Sequence, residues 1–170
     1  MFDEQNLKPM LLNKPKASWT GMQVWMMKRS AWQLVAGGYV VTIGLNFLFG
    51  YLLFPEQQSA SAILNFTVKE AFWIGVIFAP LLETYLIQYL VIKNVHKWTG
   101  IYWIAVLASA IIFGASHTYS VPYMILTFLS GIVYGIIYVV LALRGKDRFV
   151  YITLTHALHN LTGFCIEHVF

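Results

Sequence analysis

Three short groups of polar residues stand inside otherwise apolar stretches of this chain. Glu83 is the single charged residue in its stretch, His117 closes the sequence Phe113-Gly-Ala-Ser-His117, and the last apolar stretch contains His156 and Asn160. Phe113 and His117 are four residues apart, as are His156 and Asn160, so each pair shares one face of a helix. Carboxylate, imidazole and amide groups are those that activate water and stabilise an oxyanion in hydrolysis.

Glu83 carries the strongest argument for a functional site. A charged side chain at the centre of a bilayer costs from about 2.5 kcal/mol upward, and such residues usually mark function. Pro80, three residues earlier, lacks a backbone N–H and is expected to free the carbonyl of Val76, which indicates a kink or a wet cavity. Water beside a carboxylate is what general-base hydrolysis requires. The alternative is a structural hydrogen bond from a protonated Glu83 to a neighbouring helix.

The elements that position these residues must lie in a membrane, because most of the chain does not face water. Charged residues make up 11% of the 170 residues and apolar residues 59%, whereas soluble domains carry roughly 25% charged residues. This composition excludes a disordered chain, a nucleic-acid-binding arm and a small secreted scaffold. The single cysteine, Cys165, excludes an intramolecular disulfide and a multi-cysteine zinc site. We expect no nucleic-acid partner.

The gaps between charged residues predict an all-α, polytopic integral membrane bundle of about five transmembrane helices. A spanning helix needs about 20 mostly apolar residues. The predicted spans are Ala31–Phe54, Ala71–Ile92, Ile101–Ser116, Val121–Leu143 and Phe149–Ile166. Residues 31–170 then form the transmembrane domain, and residues 1–30 form a tail. Part of that tail is predicted to lie on the membrane surface, on the evidence of Trp19, Met22, Trp25 and Met26.

Lysine and arginine are distributed unequally about these spans. All of the 11 basic residues except Lys69 fall in the N-terminal tail or in the segments after the second and fourth spans. Segments rich in Lys and Arg stay in the cytoplasm. We therefore expect an integral protein of a bacterial cytoplasmic membrane, with its N-terminus in the cytoplasm.

The depth of the polar residues limits how they can meet. At 1.5 Å per residue, Glu83 and His156 lie about 11–14 Å from the cytoplasmic ends of their spans, whereas His117 lies about 24 Å from the start of its own. They can meet only if the third span starts deeper, tilts or ends inside the protein. Each buried polar group needs a partner, and the cheapest partners are one another. We therefore expect one cluster of Glu83, His117, His156 and Asn160.

Together these groups resemble the motifs of the CPBP intramembrane proteases. That family includes the type II CAAX prenyl endopeptidases and bacteriocin-processing and immunity relatives. Its motifs are Glu-Glu-x-x-x-Arg, Phe-x-x-x-His and His-x-x-x-Asn/Asp, on successive membrane helices. In this chain the second motif runs from Phe113 to His117 and the third from His156 to Asn160, both complete. The first begins at Glu83, and the resemblance covers residues 70–166.

The first motif departs from the family pattern at two positions. Thr84 replaces the second glutamate and Gln88 replaces the arginine. Both residues can still donate hydrogen bonds to a carboxylate, but each change alters the charge. The departures bear on substrate binding and hydrogen-bond support more than on the base itself.

The resemblance implies an intramembrane endopeptidase that acts on a peptide or protein substrate in the lipid bilayer. Glu83 occupies the position of the catalytic glutamate, which activates water to attack the scissile carbonyl. His117 occupies the position that holds or polarises that water. His156 and Asn160 occupy the positions proposed to stabilise the oxyanion. The supporting positions are Phe113, Thr84 and Gln88.

Several alternatives stay open at this point. No cofactor is favoured, but Glu83, His117 and His156 could form a zinc site with an open position for water; the lack of a His-Glu-x-x-His motif favours the metal-free version. The chain could also be a catalytically silent relative that acts as an immunity or scaffold protein. An unrelated proton-coupled carrier using Glu83 is a third hypothesis. A prenylated CAAX tail, a signal peptide, a pheromone or a bacteriocin precursor would each be a compatible substrate.

Overall fold

The computed structural model describes residues 21–54 and 66–168, and every regular element in those ranges is helical. The short helix α1 is Gly21–Met27, and α2 is Ala31–Phe47 continued by a π-helical stretch, Leu48–Leu53. The other four are α3 (Val68–Thr99), α4 (Tyr102–Ala115), α5 (Val121–Leu143) and α6 (Arg148–His168). The predicted all-α bundle is confirmed. Residues 1–20, including Trp19 and most of the predicted tail, lie outside the described residues.

Each predicted span corresponds to one of the helices α2 to α6, but only some of them have the dimensions of a full crossing. Within the described ranges, three helices are long and apolar enough: Ala31–Gly50, Val68–Thr99 and Val121–Leu143. α4 is apolar but has 14 residues, about 21 Å against a hydrocarbon core of about 30 Å. α6 has 21 residues but includes His156, His159 and Asn160. By length and composition alone, three of the five predicted spans therefore qualify as full crossings in the described ranges.

The outer surface of the bundle is apolar. Many large side chains along α2 to α5 point away from the core, and Trp32, Val40 and Trp103 are each more than 60% exposed. A surface of this kind suits lipid tails rather than water. The long apolar helices and this surface together identify a membrane protein.

Helix α3 is longer than the sequence pattern predicts. It continues past Ile92 to Thr99, and Gly100 ends it with a left-handed conformation at φ 70°. Lys93 and Lys97 were expected in a loop, but both lie exposed on the last turns of the helix. Charged residues end an apolar stretch without ending a helix, because a lysine stem packs along the helix while its ammonium reaches water.

The extra length of α3 removes the mismatch in depth between Glu83 and His117. Glu83 lies 16 residues before Thr99, and His117 lies 15 residues after Tyr102, the first residue of α4. The two helices are joined by a short turn and pack side by side. Both residues are therefore about 23 Å from that turn at 1.5 Å per residue. Helix α4 therefore starts beyond the predicted end of the second span, and His117 lies at the level of Glu83.

Close packing of α4 against α5 holds the end of α4 in place. A Cβ atom added at Gly135 would lie 2.7 Å from Val106 Cγ1, and one added at Gly131 would lie 3.0 Å from the Cα of Ala110. Small residues at such positions let two helix backbones approach where lipid removes the hydrophobic drive for association. The two helices make the most extensive contact in the described bundle, and this contact sets where the segment after Ala115 lies.

Candidate active site

Glu83 lies at a local irregularity of α3. A five-residue α-helical segment, Ala79–Glu83, separates two π-helical stretches, Phe72–Phe78 and Thr84–Val91. Pro80 is fully buried in that segment. π-Helical turns occur frequently at functional sites, because they change which side chains a helix presents. The irregularity that Pro80 predicts is therefore present beside Glu83.

The structure brings Glu83 together with two of the predicted histidines. Glu83 Oε2 lies 3.8 Å from His117 Nε2, which follows the end of α4, and 3.7 Å from His156 Nε2 on α6. The side chain of Glu83 is 28% exposed, against 13% for His117 and 5% for His156. The carboxylate is the most accessible of the three groups, so it is the one that water reaches most readily.

A hydrogen bond to the backbone fixes the orientation of His117. Its Nδ1 lies 2.7 Å from the carbonyl oxygen of Phe113, which also accepts from Ser116 Oγ at 2.8 Å. A carbonyl oxygen only accepts, so His117 Nδ1 carries a hydrogen. In the neutral ring Nε2 then has a free lone pair, and this atom faces Glu83. The Phe-x-x-x-His spacing thus selects the tautomer of His117, because it places the carbonyl of the residue four positions earlier against Nδ1.

Aromatic rings hold His156 against α4 and α5. The ring of Phe113 meets it edge to face at 5.5 Å, and the ring of Tyr134 lies 5.1 Å away. Nδ1 of His156 is buried and has no hydrogen-bond partner among the described residues. Because buried N–H groups are rarely left unpaired, the hydrogen of the neutral ring is better placed on Nε2, beside Glu83. His156 then presents a donor where His117 presents an acceptor.

Asn160 lies one turn beyond His156 on α6, but its side-chain amide hydrogen-bonds to the backbone of α3 and not to Glu83. Its Nδ2 donates to the carbonyl oxygen of Gly75 at 2.8 Å. The amide has a second hydrogen that remains available. The sequence predicted that Pro80 frees the carbonyl of Val76; the carbonyl that receives the side-chain donor is instead that of Gly75. The reason is the π-helical register, which moves each backbone partner by one residue.

The two departures from the family motif are both buried. Thr84 and Gln88 have no exposed surface, and Gln88 Oε1 accepts from Ser109 Oγ of α4 at 2.8 Å. No side-chain hydrogen bond in the described structure joins Thr84 or Gln88 to the carboxylate of Glu83, so the support expected from them does not reach it directly. They are four residues apart, and together they remove one negative and one positive family charge. The net charge of Thr84 and Gln88 is therefore zero, which is also the net charge of the glutamate and arginine that they replace.

As placed, the predicted zinc ligands lie wider apart than the ligand atoms of an occupied zinc site. Zinc bonds of about 2 Å require ligand atoms about 3.3 Å apart in a tetrahedral site, and both distances from Glu83 Oε2 to the histidines are longer. His156 also lacks the hydrogen-bond partner that a zinc-bound histidine normally has on its other nitrogen. Among residues 21–54 and 66–168, no group of three His, Cys, Asp or Glu side chains could hold a metal ion.

Two residues of the site, Tyr123 and Tyr134, were not predicted from the sequence. Tyr123, in the first turn of α5, has its ring 5.8 Å from that of His117. The ring of Tyr134 packs against His156. The only signal for Tyr123 is its place six residues after His117, beyond Pro122, which starts the next helix. Tyrosines are too frequent in this chain for that signal to stand out.

Comparison with known protein families supports the motif assignment. Residues 65–162 match the family described as type II CAAX prenyl endopeptidase Rce1-like. Comparisons with curated proteins and with solved structures give no match. The matched segment is more than half of the chain and includes all three motifs, from Glu83 to Asn160. This argues against an unrelated carrier and makes the protein a peptide hydrolase by family. The chain belongs to the Rce1-like family of type II CAAX prenyl endopeptidases.

Proposed function

We propose that this protein is an intramembrane endopeptidase of the glutamate type, with Glu83 as its general base. One observation carries the proposal: the carboxylate of Glu83 lies within 3.8 Å of two imidazole nitrogens, one from α6 and one from the segment that follows α4, in a cluster that is only partly open to solvent. A structural hydrogen bond would need one partner for Glu83. Two imidazoles around the most accessible group form a site for water and a scissile carbonyl.

Glu83 and His117 can activate a water molecule together. Both Glu83 Oε2 and the free Nε2 of neutral His117 are acceptors, and atoms 3.8 Å apart can both hydrogen-bond to one water. The water then donates both of its hydrogens, which leaves a lone pair on its oxygen for attack on the peptide carbonyl. Glu83 takes the proton as the C–O bond forms, and passes it to the leaving amine when the C–N bond breaks.

In this proposal, His156 and Asn160 stabilise the oxyanion of the tetrahedral intermediate. His156 offers Nε2–H beside the carboxylate, and Asn160 has one amide hydrogen that Gly75 does not use. Such donors act on charge that develops in the transition state. The ring of Tyr123 lies beside that of His117, at 5.8 Å.

The proposed mechanism is metal-free. The spacing of the three side chains and the unpaired Nδ1 of His156 support it, since both differ from what a His₂Glu zinc site requires. Every step above uses only groups that the chain provides.

The proposed substrate is a membrane-associated peptide. The family description names prenylated CAAX peptides, and we extend that substrate class to this chain as part of the proposal. We also propose a bacterial cytoplasmic membrane as the location, and the distribution of Lys and Arg favours an N-terminus in the cytoplasm.

A second candidate is a catalytically silent relative that acts as an immunity or scaffold protein. The observation in its favour is the loss of both charges at Thr84 and Gln88. Against it, both residues are buried, Gln88 contacts Ser109 of α4, and neither side chain hydrogen-bonds to the carboxylate of Glu83. The replacement of the family's charged residues by Thr84 and Gln88 therefore affects the packing between helices, whereas the cluster of Glu83 with two histidines is retained.

Cleavage of defined peptides separates the two candidates. Purified protein in liposomes is given a fluorogenic peptide ending in a farnesylated CAAX tail, the same peptide without the farnesyl group, and a membrane-inserted signal peptide. The endopeptidase proposal expects cleavage of at least one of these by the wild type and none by Glu83→Gln. No turnover by the wild type on a broad panel would favour the silent relative, whereas equal turnover by the two proteins would contradict the role of Glu83 as the base.

A further inference from the structure

The hydrogen bond between Asn160 and Gly75 lies where the backbone of α3 lacks a donor. In the π-helical stretch before Pro80, the N–H of Ala79 donates to the carbonyl of Ile74, five residues back. In the same register, the donor to the carbonyl of Gly75 would be residue 80. Proline has no N–H, and Asn160 Nδ2 lies 2.8 Å from that oxygen.

An unpaired carbonyl at this position would be costly. Gly75 and Pro80 are both buried, so water does not readily replace the missing donor, and buried backbone groups are almost always paired. Asn160 supplies the hydrogen that the proline cannot. The structure thus contains a side chain of α6 that completes the backbone hydrogen bonding of α3.

We propose that Asn160 is a positioning residue, which sets the register between α3 and α6 by replacing the backbone donor that Pro80 lacks. For its effect on activity this inference rests on the proposed function. We call the hydrogen bond from Asn160 Nδ2 to Gly75 O the α3–α6 clasp. It uses one hydrogen of the amide and leaves the other for the oxyanion, so the two roles are compatible.

The α3–α6 clasp acts on the reacting groups through short lengths of helix. Asn160 is one turn from His156 on α6, and Pro80 is three residues from Glu83 on α3. Toward the other end of the same contact, the rings of Phe72 and Phe164 meet edge to face at 5.5 Å. Rotation or sliding of α6 would change the 3.7 Å separation of Glu83 and His156. A misplacement of about 1 Å at reacting groups can cost about 10²-fold in rate.

A double-mutant cycle tests this role, because Pro80→Ala restores the missing N–H. Asn160→Ala in the wild-type background should lower kcat by at least about 10²-fold with KM unchanged, through both the clasp and the oxyanion. In the Pro80→Ala background the same change should cost at least about 10-fold less in kcat, because the backbone then supplies the donor and only the oxyanion role is lost. Pro122→Ala is the matched control. Its missing N–H lies in the first turn of α5, where no donor is needed, so it should not rescue Asn160→Ala.

Thermal unfolding gives a second cycle that does not depend on activity. Asn160→Ala should lower Tm by several degrees in the wild type and by clearly less in Pro80→Ala, even if that variant has lost turnover for other reasons. Equal Tm losses and equal kcat losses in the two backgrounds would overturn the clasp. The proposed function would still stand in that case, provided that Glu83→Gln is inactive. Conversely, an active Glu83→Gln would contradict the proposed function, but a smaller Tm loss for Asn160→Ala in the Pro80→Ala background would still support the clasp.

Discussion

Replacing Gly114 by alanine should push α4 away from α5 close to His117. A Cβ added to Gly114 would lie 2.9 Å from the carbonyl oxygen of Met124 and 2.9 Å from Cβ of Phe128. The nearest atoms are backbone and Cβ atoms, which cannot move independently of α5. The carbonyl of Gly114 also accepts the backbone N–H of His117 at 3.1 Å, so any shift of this turn is passed to that histidine.

The size of the effect follows from these distances. Ordinary van der Waals contact begins at 3.4 Å, so the helices must part by about half an ångström or more at this point. Overpacking of this kind costs about 1–3 kcal/mol, partly offset by about 1 kcal/mol from the higher helix propensity of alanine. His117 Nε2 lies 3.8 Å from Glu83, and a displacement of this order should lower kcat by about 10-fold to 10²-fold.

The assay compares Gly114→Ala with Gly163→Ala, which lies on α6 and has no atom within 4 Å of an added Cβ. Tm and kcat are measured for both purified variants in the same detergent. Gly163→Ala should keep wild-type turnover and equal or higher Tm, whereas Gly114→Ala should lose turnover. If Gly114→Ala matches the control in both measurements, the packing of α4 on α5 does not set the position of His117.

Three further outcomes are expected. Ser109→Ala should lower the free energy of unfolding by about 1–3 kcal/mol, measured by denaturant titration, because it leaves the buried oxygen of Gln88 without its donor; an unchanged midpoint would contradict this. In a Cys165→Ser background, an impermeant maleimide added outside cells should label Glu167→Cys but not Lys146→Cys, and labelling of the latter would reverse the topology. Purified active protein should contain far less than one zinc per chain by mass spectrometry and keep its turnover after dialysis against a chelator, whereas loss of turnover that zinc restores would refute the metal-free mechanism.

The helices of this fold could be predicted because the bilayer imposes a simple rule on the sequence. Stretches without charge must be helical there, and each predicted span corresponds to a helix. The ends of α3 could not be predicted in the same way. Lys93 and Lys97 end the apolar stretch, but an exposed lysine is compatible with a helix, and the helix continues to Thr99. That continuation is what brings His117 to the level of Glu83.

The polar residues of the site could be predicted because each stands out against an apolar background. Their partners could not. The hydrogen bond from Asn160 to Gly75 depends on a π-helical register that moves the unpaired carbonyl away from Val76, and nothing in the pattern of residues indicates such a register. Likewise, Ser109 is typical of a small packing residue, and only the packed bundle shows that it donates to Gln88.

The turnover of Glu83→Gln tests the central claim most directly. The change keeps the size and hydrogen-bonding capacity of the side chain but removes its ability to accept a proton from water. With a peptide that the wild type cleaves, purified Glu83→Gln should keep a wild-type Tm and lose at least about 10²-fold in kcat. Thr84→Ala, at the next position and without a hydrogen bond to Glu83, should lose much less. Turnover of Glu83→Gln within a few-fold of the wild type would contradict the assignment of Glu83 as the general base.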